Sequence, residues 1–489
     1  MLLSKSQYIR GLQCHKSLWL YNHKRELRDE ADSQTESLFN TGYSVGDYAK
    51  RLFPGGVEIA FTPDDFNGMV RETADLINRG VATIYEAAFK KGGIFAMADI
   101  LHKSGKHWNL YEVKASTKTK DYHLDDAAIQ YYAFGKAITI NKVFIIHVNN
   151  QYERQGELDV RALFTIDDIT DDVLERQADI KTALKGFDTM LKSDMPDIDI
   201  GPHCSDPYTC DFTGYCWQHI PKPSIFNLYR MRGDKKFELY GEGILNYDDI
   251  PDDYPLTEIQ RLQIETATRN TVSINQEVIQ TFLGALKYPI SFLDFETFQN
   301  AIPRFDHQRP YMQMTFQYSL QVMTKNGQLS HAEYLGDENS DPRRELAEKM
   351  LGDLPTAGSI MAYNQSFEIS RIRDLAELFP DLRKKLLKLT GRFVDLIIPF
   401  RRLGYYHPDF NGSFSIKSVL PVLFPDDAEL DYKKLEIQNG EMAMDTFANL
   451  HRLKDPDNRD RIRRDLLAYC HLDTLAMVRI WEKLRDIAA

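Results

Sequence analysis

Residues 95–114 read Phe-Ala-Met-Ala-Asp-Ile-Leu-His-Lys-Ser-Gly-Lys-His-Trp-Asn-Leu-Tyr-Glu-Val-Lys. Two apolar runs flank Gly105, so this stretch predicts a β-hairpin with the glycine in its turn. Asp99 interrupts the first predicted strand, and Glu112 and Lys114 stand two apart on the second. Side chains two apart on a strand point to the same face, so an acid and a base should project together from this hairpin.

The hairpin carries the residue types of a divalent-cation site. Asp99 and Glu112 are candidate oxygen ligands for Mg²⁺ or Mn²⁺, and Glu86 on the preceding strand is a further candidate. Such an ion lowers the pKa of a bound water, and Lys114 can orient that water or stabilise developing charge. Gln130, on the following helix, is a candidate for positioning a substrate strand.

Cysteines flank the hairpin on both sides. Cys14 lies near the start of the chain, and Cys204, Cys210 and Cys216 follow far downstream with five residues in each gap. Four thiolates suit an iron–sulfur cluster. Zinc is the competing interpretation, although zinc ligands are usually paired at closer spacing. Cys470 is expected to pack within a helix rather than to act as a ligand.

Residues 1–220 resemble the PD-(D/E)XK nucleases of the RecB type, and are most similar to CRISPR-associated RecB-like exonucleases and the AddB nuclease domain. The residues that carry this resemblance are Cys14, Asp99, Glu112-Val-Lys114, Gln130, Cys204, Cys210 and Cys216. It implies that the four cysteines hold a structural 4Fe–4S cluster. The chain departs from the family at Gly46, where the relatives carry a metal-binding histidine.

A second set of acids follows in the C-terminal half. Residues 290–296 read Ile-Ser-Phe-Leu-Asp-Phe-Glu, an apolar strand that ends in Asp294 and Glu296. Burying two like charges side by side is costly unless cations compensate. Glu368 opens a predicted helix, and Tyr469 and Asp473, four apart, share a face of the last helix. Four carboxylates from three elements can hold two cations, and Tyr469 can orient the attacking water.

The order of these acids resembles that of DEDD exonucleases of the RNase H-like fold, in the subgroup that bears a tyrosine. Residues 393–396, Phe-Val-Asp-Leu, and 412–421, which include Ser-Ile-Lys, fit the family's intermediate motifs. The resemblance covers residues 286–485 and implies 3′-to-5′ removal of nucleotides from single strands. Glu368 stands where the family normally has aspartate.

Length and pattern predict an α/β protein with more than one domain, since 489 residues exceed the usual size of one core. We expect a PD-(D/E)XK domain over 1–222, a helical linker or small subdomain over 223–285, and an RNase H-like domain over 286–489. The pattern further predicts helices over 4–20, 125–138, 171–191, 366–378 and 461–484.

Composition limits the function classes. The chain lacks an 18-residue apolar run and an N-terminal apolar signal core, which predicts a cytoplasmic protein without a membrane partner. Its net charge of −12 argues against a uniformly basic surface, although residues 371–402 are locally basic.

The sequence therefore predicts a bifunctional metal-dependent nuclease that acts on single-stranded DNA ends, in DNA repair or in processing of foreign DNA. An RNA exonuclease is one alternative, because the sequence does not show whether the site recognises a 2′-hydroxyl. A nucleic-acid-binding scaffold with a degenerate N-terminal site is the other, since Gly46 removes one metal ligand.

Overall fold

The computed structural model describes residues 2–30, 33–135 and 137–489, with the backbone alone for residues 33–40. The chain forms two units. The first comprises Met1–His219 together with Asn300–Tyr311, and the second comprises Ile220–Gln299 and Met312–Ala489. Both units combine helices with β-sheets, so the predicted α/β class is confirmed.

The first unit is built on one mixed sheet. Its strands are β1 (Leu3–Ser4), β2 (Val57–Glu58), β3 (Thr83–Lys91), β4 (Ile94–Ser104), β5 (His107–Lys114), β6 (Ile140–Val148) and β7 (Phe164–Asp168). They follow the order β2-β3-β4-β5-β6-β7, and β1 pairs with β4. The predicted hairpin forms as β4 and β5, with Gly105 at a φ of +63° in the turn. β5 and β6 run parallel, which places β5 in the interior of the sheet.

Helices cover this sheet. They are α1 (Lys5–Gln13), α2 (His15–His23), α3 (Ser33–Lys50), α4 (Phe66–Asn78), α5 (Asp121–Phe134), α6 (Val160–Leu163), α7 (Thr170–Glu175), α8 (Gln177–Met190) and α9 (Thr213–Cys216). Ser4 caps α1, and its hydroxyl accepts a hydrogen bond from the Gln7 amide at 3.2 Å. The Cys14 amide donates a hydrogen bond to the Arg10 carbonyl of α1, and the Cys14 carbonyl accepts one from the Leu18 amide of α2. This residue therefore ends α1 and begins α2.

Three helix predictions in this unit need correction. The helix predicted over 4–20 is divided, because Cys14 adopts an extended conformation with φ −160° and ψ 118°. The helix predicted over 125–138 begins earlier and ends at Phe134, before the non-helical Gly135. The helix predicted over 171–191 is interrupted at Arg176.

Residues 300–311 follow the first long strand of the second unit but pack in the first unit. Ala301 is 5% exposed and belongs to an apolar cluster with Tyr85 and Ile100. The Tyr311 hydroxyl donates a hydrogen bond to the carbonyl of Ala115, directly after β5. The first unit is therefore not contiguous in sequence.

The second unit has a main sheet of five strands and a separate pair of strands. Its strands are β8 (Ser273–Ile274), β9 (Ile290–Phe298), β10 (Met314–Met323), β11 (Leu329–Leu335), β12 (Ser359–Ala362), β13 (Phe393–Asp395) and β14 (Tyr405–Tyr406). The main sheet has the order β11-β10-β9-β12-β13, and β14 pairs separately with β8. β9 runs antiparallel to β10 and parallel to β12. As an interior strand it must be apolar, and Ile290, Phe292 and Leu293 are fully buried.

Along the chain, helices of this unit both precede β9 and follow β13. They are α10 (Gly233–Gly241), α11 (Glu258–Arg269), α12 (Gln276–Gly284), α13 (Arg343–Asp353), α14 (Ser366–Leu378), α15 (Arg383–Thr390), α16 (Ile398–Arg401), α17 (Ile416–Leu423), α18 (Gly440–Leu450) and α19 (Pro456–Ala488). α19 packs on β9 and β10, with Trp481 edge-on against Phe292. Residues 225–267 contain a separate apolar cluster within the same unit. Of the helices described here, none has the length and apolar character needed to cross a membrane.

Candidate functional site

The second half of β9 places two acids on one face, and the strand continues past them to Phe298 rather than ending at the acids as predicted. Asp294 and Glu296 stand two apart after the apolar run, so both point away from the side on which Phe295 packs. One ligand atom from each of Asp294, Glu296 and Cys470 lies within 4.8 Å of the others. Cys470, which the sequence assigned to helix packing, is fully buried in α19 and also contacts Asp294, with its Sγ 3.8 Å from the carboxylate. β9 and α19 therefore bring a donor set together within the sheet.

Glu368 supplies a third acid from the first turn of α14. Its side chain is 3% exposed, and among the described residues its Oε2 atom has no hydrogen-bond partner. Buried polar atoms are nearly always partnered in folded proteins, so an unpartnered carboxylate oxygen calls for a missing ligand. A cation or a bound water would satisfy it.

Asp473 is the fourth acid and lies on α19. The Tyr432 hydroxyl donates a hydrogen bond of 2.5 Å to its Oδ1. Tyr469, one turn earlier on the same helix face, also hydrogen-bonds Asp473. Tyr432 is 41 residues away from Asp473 in the chain, and no sequence motif pointed to it.

These acids raise one another's pKa. Burial raises the pKa of Asp294 and of Glu296 well above the usual range, and the neighbouring carboxylates raise both further. Burial also raises the pKa of Glu368 to about 8. The pKa of Asp473 rises to about 6 through burial, against the opposing hydrogen bonds of its two tyrosines. In the absence of a bound cation, these acids therefore keep their protons at a pH at which solvent-exposed carboxyls have lost theirs.

Lys417 is a basic group beside the acids and lies on α17, in the Ser-Ile-Lys motif. Its ammonium lowers the pKa of Glu296 and of Asp473, and it lies 5.7 Å from the Tyr469 ring centre. The sequence signal was that motif, but the spacing alone did not connect the lysine with the acids. A cavity of about 380 Å³ adjoins the cluster, lined by Phe295, Glu296, Thr297, Gln313, Phe367, Lys417, Asn439, Gly440, Glu441 and Met444.

The donor set fits hard divalent cations. Four carboxylates and a tyrosine hydroxyl are oxygen donors, the type that Mg²⁺ and Mn²⁺ prefer. The raised pKa values of these carboxyls and the unpartnered oxygen of Glu368 both indicate that a cation would stabilise the ionised form of the acids. Asp294, Glu296, Glu368 and Asp473 are the residues that would hold such ions.

The first unit arranges its acids in a row across three strands. The strand registers place Glu86, Asp99 and Glu112 at one level on β3, β4 and β5. Asp99 accepts a hydrogen bond of 2.6 Å from the Val113 amide. Glu86 has a φ of +53°, a strained conformation for a residue with a long side chain. All three predicted acids therefore meet on neighbouring strands.

Glu112 is the most heavily partnered member of this row. It is 1% exposed, and its Oε1 atom receives hydrogen bonds from Lys114 at 2.8 Å and from Lys5 at 2.5 Å. Gln130 donates to the other oxygen at 2.5 Å. Lys114 also pairs with Asp126, which lies four residues before Gln130 on the same face of α5. The contact across 107 residues from Lys5 had no signal in the sequence.

Ionisation differs sharply along this row. Burial and the charge of Glu112 raise the pKa of Asp99 to about 8. Burial raises the pKa of Glu86 to about 7, against the opposing charge of Lys50. Glu112 is the opposite case, since Lys114 and Lys5 outweigh burial and hold its pKa well below the usual range. One ionised acid thus stands beside two that keep protons near neutral pH.

Gly46 lies on α3, one turn before Lys50. A Cβ atom placed on Gly46 would have no neighbour within 4 Å. The helix therefore has open space beside Gly46.

The four cysteines predicted to act together line one small cavity. Cys14, Cys204, Cys210 and Cys216 are free thiols, each half-buried, around a space of about 20 Å³. Burial raises the pKa of Cys216 to about 11, and the other three thiols add to that effect. The loop is tied to α1 by Arg10, which donates to both oxygens of Asp211 at 2.5 and 3.0 Å. Four converging thiols fit either a 4Fe–4S cluster or zinc, and both bind the thiolate form.

Comparison with known proteins gives limited information on function. Residues 291–415 match a family model described as a domain of unknown function, DUF2779. This segment includes Asp294, Glu296 and Glu368 but ends before α19. Over an alignment of 232 positions, which covers 43% of the chain, the sequence is 25% identical to the uncharacterized protein UU173 of Ureaplasma parvum serovar 3. The match spans about a third of that relative's length (33%), and neither name gives an activity.

Proposed function

We propose that this chain is a metal-dependent nuclease whose second unit removes nucleotides from the 3′ ends of single-stranded DNA. The acid cluster of Asp294, Glu296, Glu368 and Asp473 is the observation that carries the proposal, above all the unpartnered oxygen of Glu368. We propose an RNase H-like fold of the DEDD type for this unit. The parallel and antiparallel neighbours of β9 and the two acids on one face of that strand support that choice.

Each group in the second unit has a chemical task under this proposal. Bound Mg²⁺ or Mn²⁺ supplies activation of water and neutralisation of a phosphate. The four carboxylates hold the ions, and the Tyr469 hydroxyl, close to Asp473, orients the attacking water. Lys417 offers positive charge beside the cavity where a terminal nucleotide would lie. Tyr432 keeps Asp473 in place through its hydrogen bond of 2.5 Å.

For the first unit we propose a PD-(D/E)XK core, in which Asp99, Glu112 and Lys114 act on the same class of phosphodiester bond. The cysteine cavity would hold a 4Fe–4S cluster that joins the loop of residues 204–216 to α1. Roles in DNA repair or in processing of foreign DNA belong to this proposal. So does a cytoplasmic location, since the five cysteines are free thiols, which persist in reducing compartments.

A second candidate function has specific support in the first unit. Both oxygens of Glu112 already receive hydrogen bonds from Lys5, Lys114 and Gln130, and Gly46 provides no ligand. A first unit that binds nucleic acid without cutting it would have these features. Asp99→Ala distinguishes the two functions. In a cutting unit it lowers cleavage while binding persists, and in a scaffold it leaves cleavage unchanged.

The deciding experiment is a timed digestion of single-stranded DNA labelled at either end, in Mg²⁺. The double variant Asp294→Ala/Glu296→Ala should lose 3′ degradation by at least about a thousandfold, because two of four metal ligands are gone. Matched RNA in parallel identifies an RNA exonuclease. Folding of the variant is checked by its circular dichroism and thermal midpoint.

The control for this experiment is Asp426→Ala/Glu436→Ala. Both acids are exposed, and the pair removes the same charge from the same unit. This control should digest DNA at the wild-type rate. A folded Asp294→Ala/Glu296→Ala protein that degrades 3′ ends as fast as wild type would refute the proposed function.

A further inference from the structure

Helices α14 and α15 carry an unpaired basic surface. Its members are Arg373, Arg383, Lys384, Lys385 and Lys388, and we call this set the basic face. All five are exposed, and none has an ion-pair partner within the described part of the chain. α15 reads Arg-Lys-Lys-Leu-Leu-Lys-Leu-Thr, with four basic residues and no acidic one. Such a helix is unusual in a chain whose net charge is −12.

Other basic residues of the same stretch serve the fold and are excluded from this surface. Arg371 pairs with Asp374 at 2.6 Å. Arg392 donates to the carbonyls of Gly358 and Ala357 at 2.8 and 2.7 Å, which ties β13 to the start of β12. The structure thus divides a basic run into arginines that anchor the fold and cations that face only solvent.

The arrangement of the basic face is electrostatically unfavourable without an anion. Lys384 and Lys388 are four apart on one helix, and Lys385 and Lys388 are three apart, so like charges are neighbours. Glu377 is the exposed acid on α14, and one carboxylate does not neutralise five cations. Leu386 and Leu389 bury the opposite side of α15, so the helix cannot turn its charges away.

α14 carries one member of the acid cluster, and α15 leads into the strand of Asp395, which supports the start of α14. Glu368 lies in the first turn of α14, and Asp395 ends the strand that follows α15. The Asp395 carboxylate accepts hydrogen bonds from the amides of Asn364 and Gln365, just before α14. β13 has three residues and is therefore about 10 Å long, so the end of α15 is within a few nucleotides of the cluster.

We propose that the basic face binds the phosphate backbone of the single-stranded DNA whose 3′ end enters the acid cluster. This inference rests on the proposed function and adds the path of the substrate. A polyanion matches five unpaired cations on two packed helices, and backbone contacts need no base sequence. The contact should therefore be independent of base sequence, sensitive to salt and absent for substrates of one nucleotide.

The test compares binding by Lys384→Gln/Lys385→Gln/Lys388→Gln with binding by the wild-type full-length chain. Fluorescence anisotropy with a labelled 20-nucleotide DNA is measured in EDTA, so that no hydrolysis occurs, at several salt concentrations. We expect affinity to fall by about tenfold or more at low salt. The slope of log K against log salt should decrease by about two, since each phosphate contact contributes about 0.7 for single strands.

The matched control is Lys287→Gln/Lys325→Gln/Lys454→Gln. These three lysines are exposed, belong to the same unit and lie outside the basic face. The control should bind within about twofold of wild type. The inference fails if the basic-face variant binds DNA with the wild-type affinity and slope, or if the control loses as much affinity. It also fails if RNA of the same sequence binds and only its binding depends on the basic face.

A minimal substrate separates this inference from the proposed function. The p-nitrophenyl ester of thymidine 5′-monophosphate has one phosphodiester and no backbone that could reach the basic face. Wild type and the basic-face variant should hydrolyse it at equal rates in Mn²⁺. If the wild-type protein hydrolyses neither this ester nor DNA, the proposed function fails. If wild type hydrolyses both and the basic-face variant loses the minimal substrate, the backbone contact is refuted.

Discussion

The charge of one lysine tunes the acid cluster of the second unit. Glu296 and Asp473 have raised pKa values because they are buried among other carboxylates, and Lys417 opposes that rise for both. Its ammonium is exposed, so it acts at the mouth of the cavity rather than within the cluster. The lysine therefore affects the pH at which the cluster becomes ionised and ready to bind a cation.

Lys417→Met should shift the acidic limb of the pH–rate profile to higher pH. Without the ammonium, Glu296 and Asp473 keep their protons to a higher pH, so the ionised form that binds metal appears later. We expect a shift of roughly half a pH unit to one unit. The measurement is kcat/KM for single-stranded DNA between pH 5.5 and 9. Lys417→Arg keeps the charge and should restore the wild-type limb, and an unchanged limb in Lys417→Met would contradict this role.

The junction between β12 and α14 depends on a buried acid from a neighbouring strand. The Asp395 carboxylate is 7% exposed and accepts hydrogen bonds from the amides of Asn364, Gln365 and Ile397 at 2.8, 3.2 and 3.2 Å. Asn364 has a φ of +71°, a conformation that needs such support. Because Glu368 follows within one turn, Asp395 positions a candidate metal ligand without being part of the four-acid set.

Asp395→Ala should destabilise the protein and weaken its affinity for metal. Three backbone amides lose their acceptor, which should cost about 2–4 kcal/mol after partial compensation by water. Urea unfolding gives the stability, and a Mg²⁺ titration of DNA cleavage gives the metal affinity. Asp395→Asn retains an acceptor oxygen and should lose less stability than Asp395→Ala. Equal stability of wild type and Asp395→Ala would show that these hydrogen bonds do not hold the junction.

Sequence continuity and structural units do not coincide in this protein. The first unit includes residues 300–311, which lie between β9 and β10 of the second unit. Within the first unit, Ala301 is buried in the apolar cluster of Tyr85 and Ile100, and Arg154 donates to the carbonyl of Pro303 at 3.0 Å. An expressed fragment that stops at residue 222 therefore lacks part of its own core.

A fragment of residues 1–222 should be less stable than the same fragment with residues 299–312 joined by a flexible linker. The missing segment removes Ala301, Ile302 and Tyr311 from contact with the cluster, an apolar loss of roughly 3 kcal/mol. The comparison is the urea midpoint of the two fragments, with a scrambled segment on the same linker as the control. Identical midpoints for all three fragments would mean that the segment adds nothing to the first unit.

Most elements that carry the candidate sites could be predicted from the chain. The apolar run into Asp294 and Glu296 predicted a strand, which the structure extends to Phe298, and the four-residue spacing of Tyr469 and Asp473 predicted one helix face. The β4–β5 hairpin followed from its apolar runs and Gly105. Helix ends were less predictable, because the division at Cys14 depends on its extended backbone, which periodicity does not report.

The identities of the partners within each cluster were not predictable. Lys5 reaches Glu112 across 107 residues, and Tyr432 reaches Asp473 across 41 residues. The sequence grouped nine basic residues between 371 and 402, and the contacts show that Arg371 and Arg392 are structural anchors. Each of these facts depends on which elements pack together.

Residue spacing settled the strand faces and the helix faces, because backbone geometry repeats every two or 3.6 residues whatever surrounds it. Packing settled that both oxygens of Glu112 already receive hydrogen bonds, which oxygen of Glu368 is unpartnered, and which unit residues 300–311 complete. Burial and long-range charge contacts arise only when distant segments meet, so no local pattern in the chain could encode them.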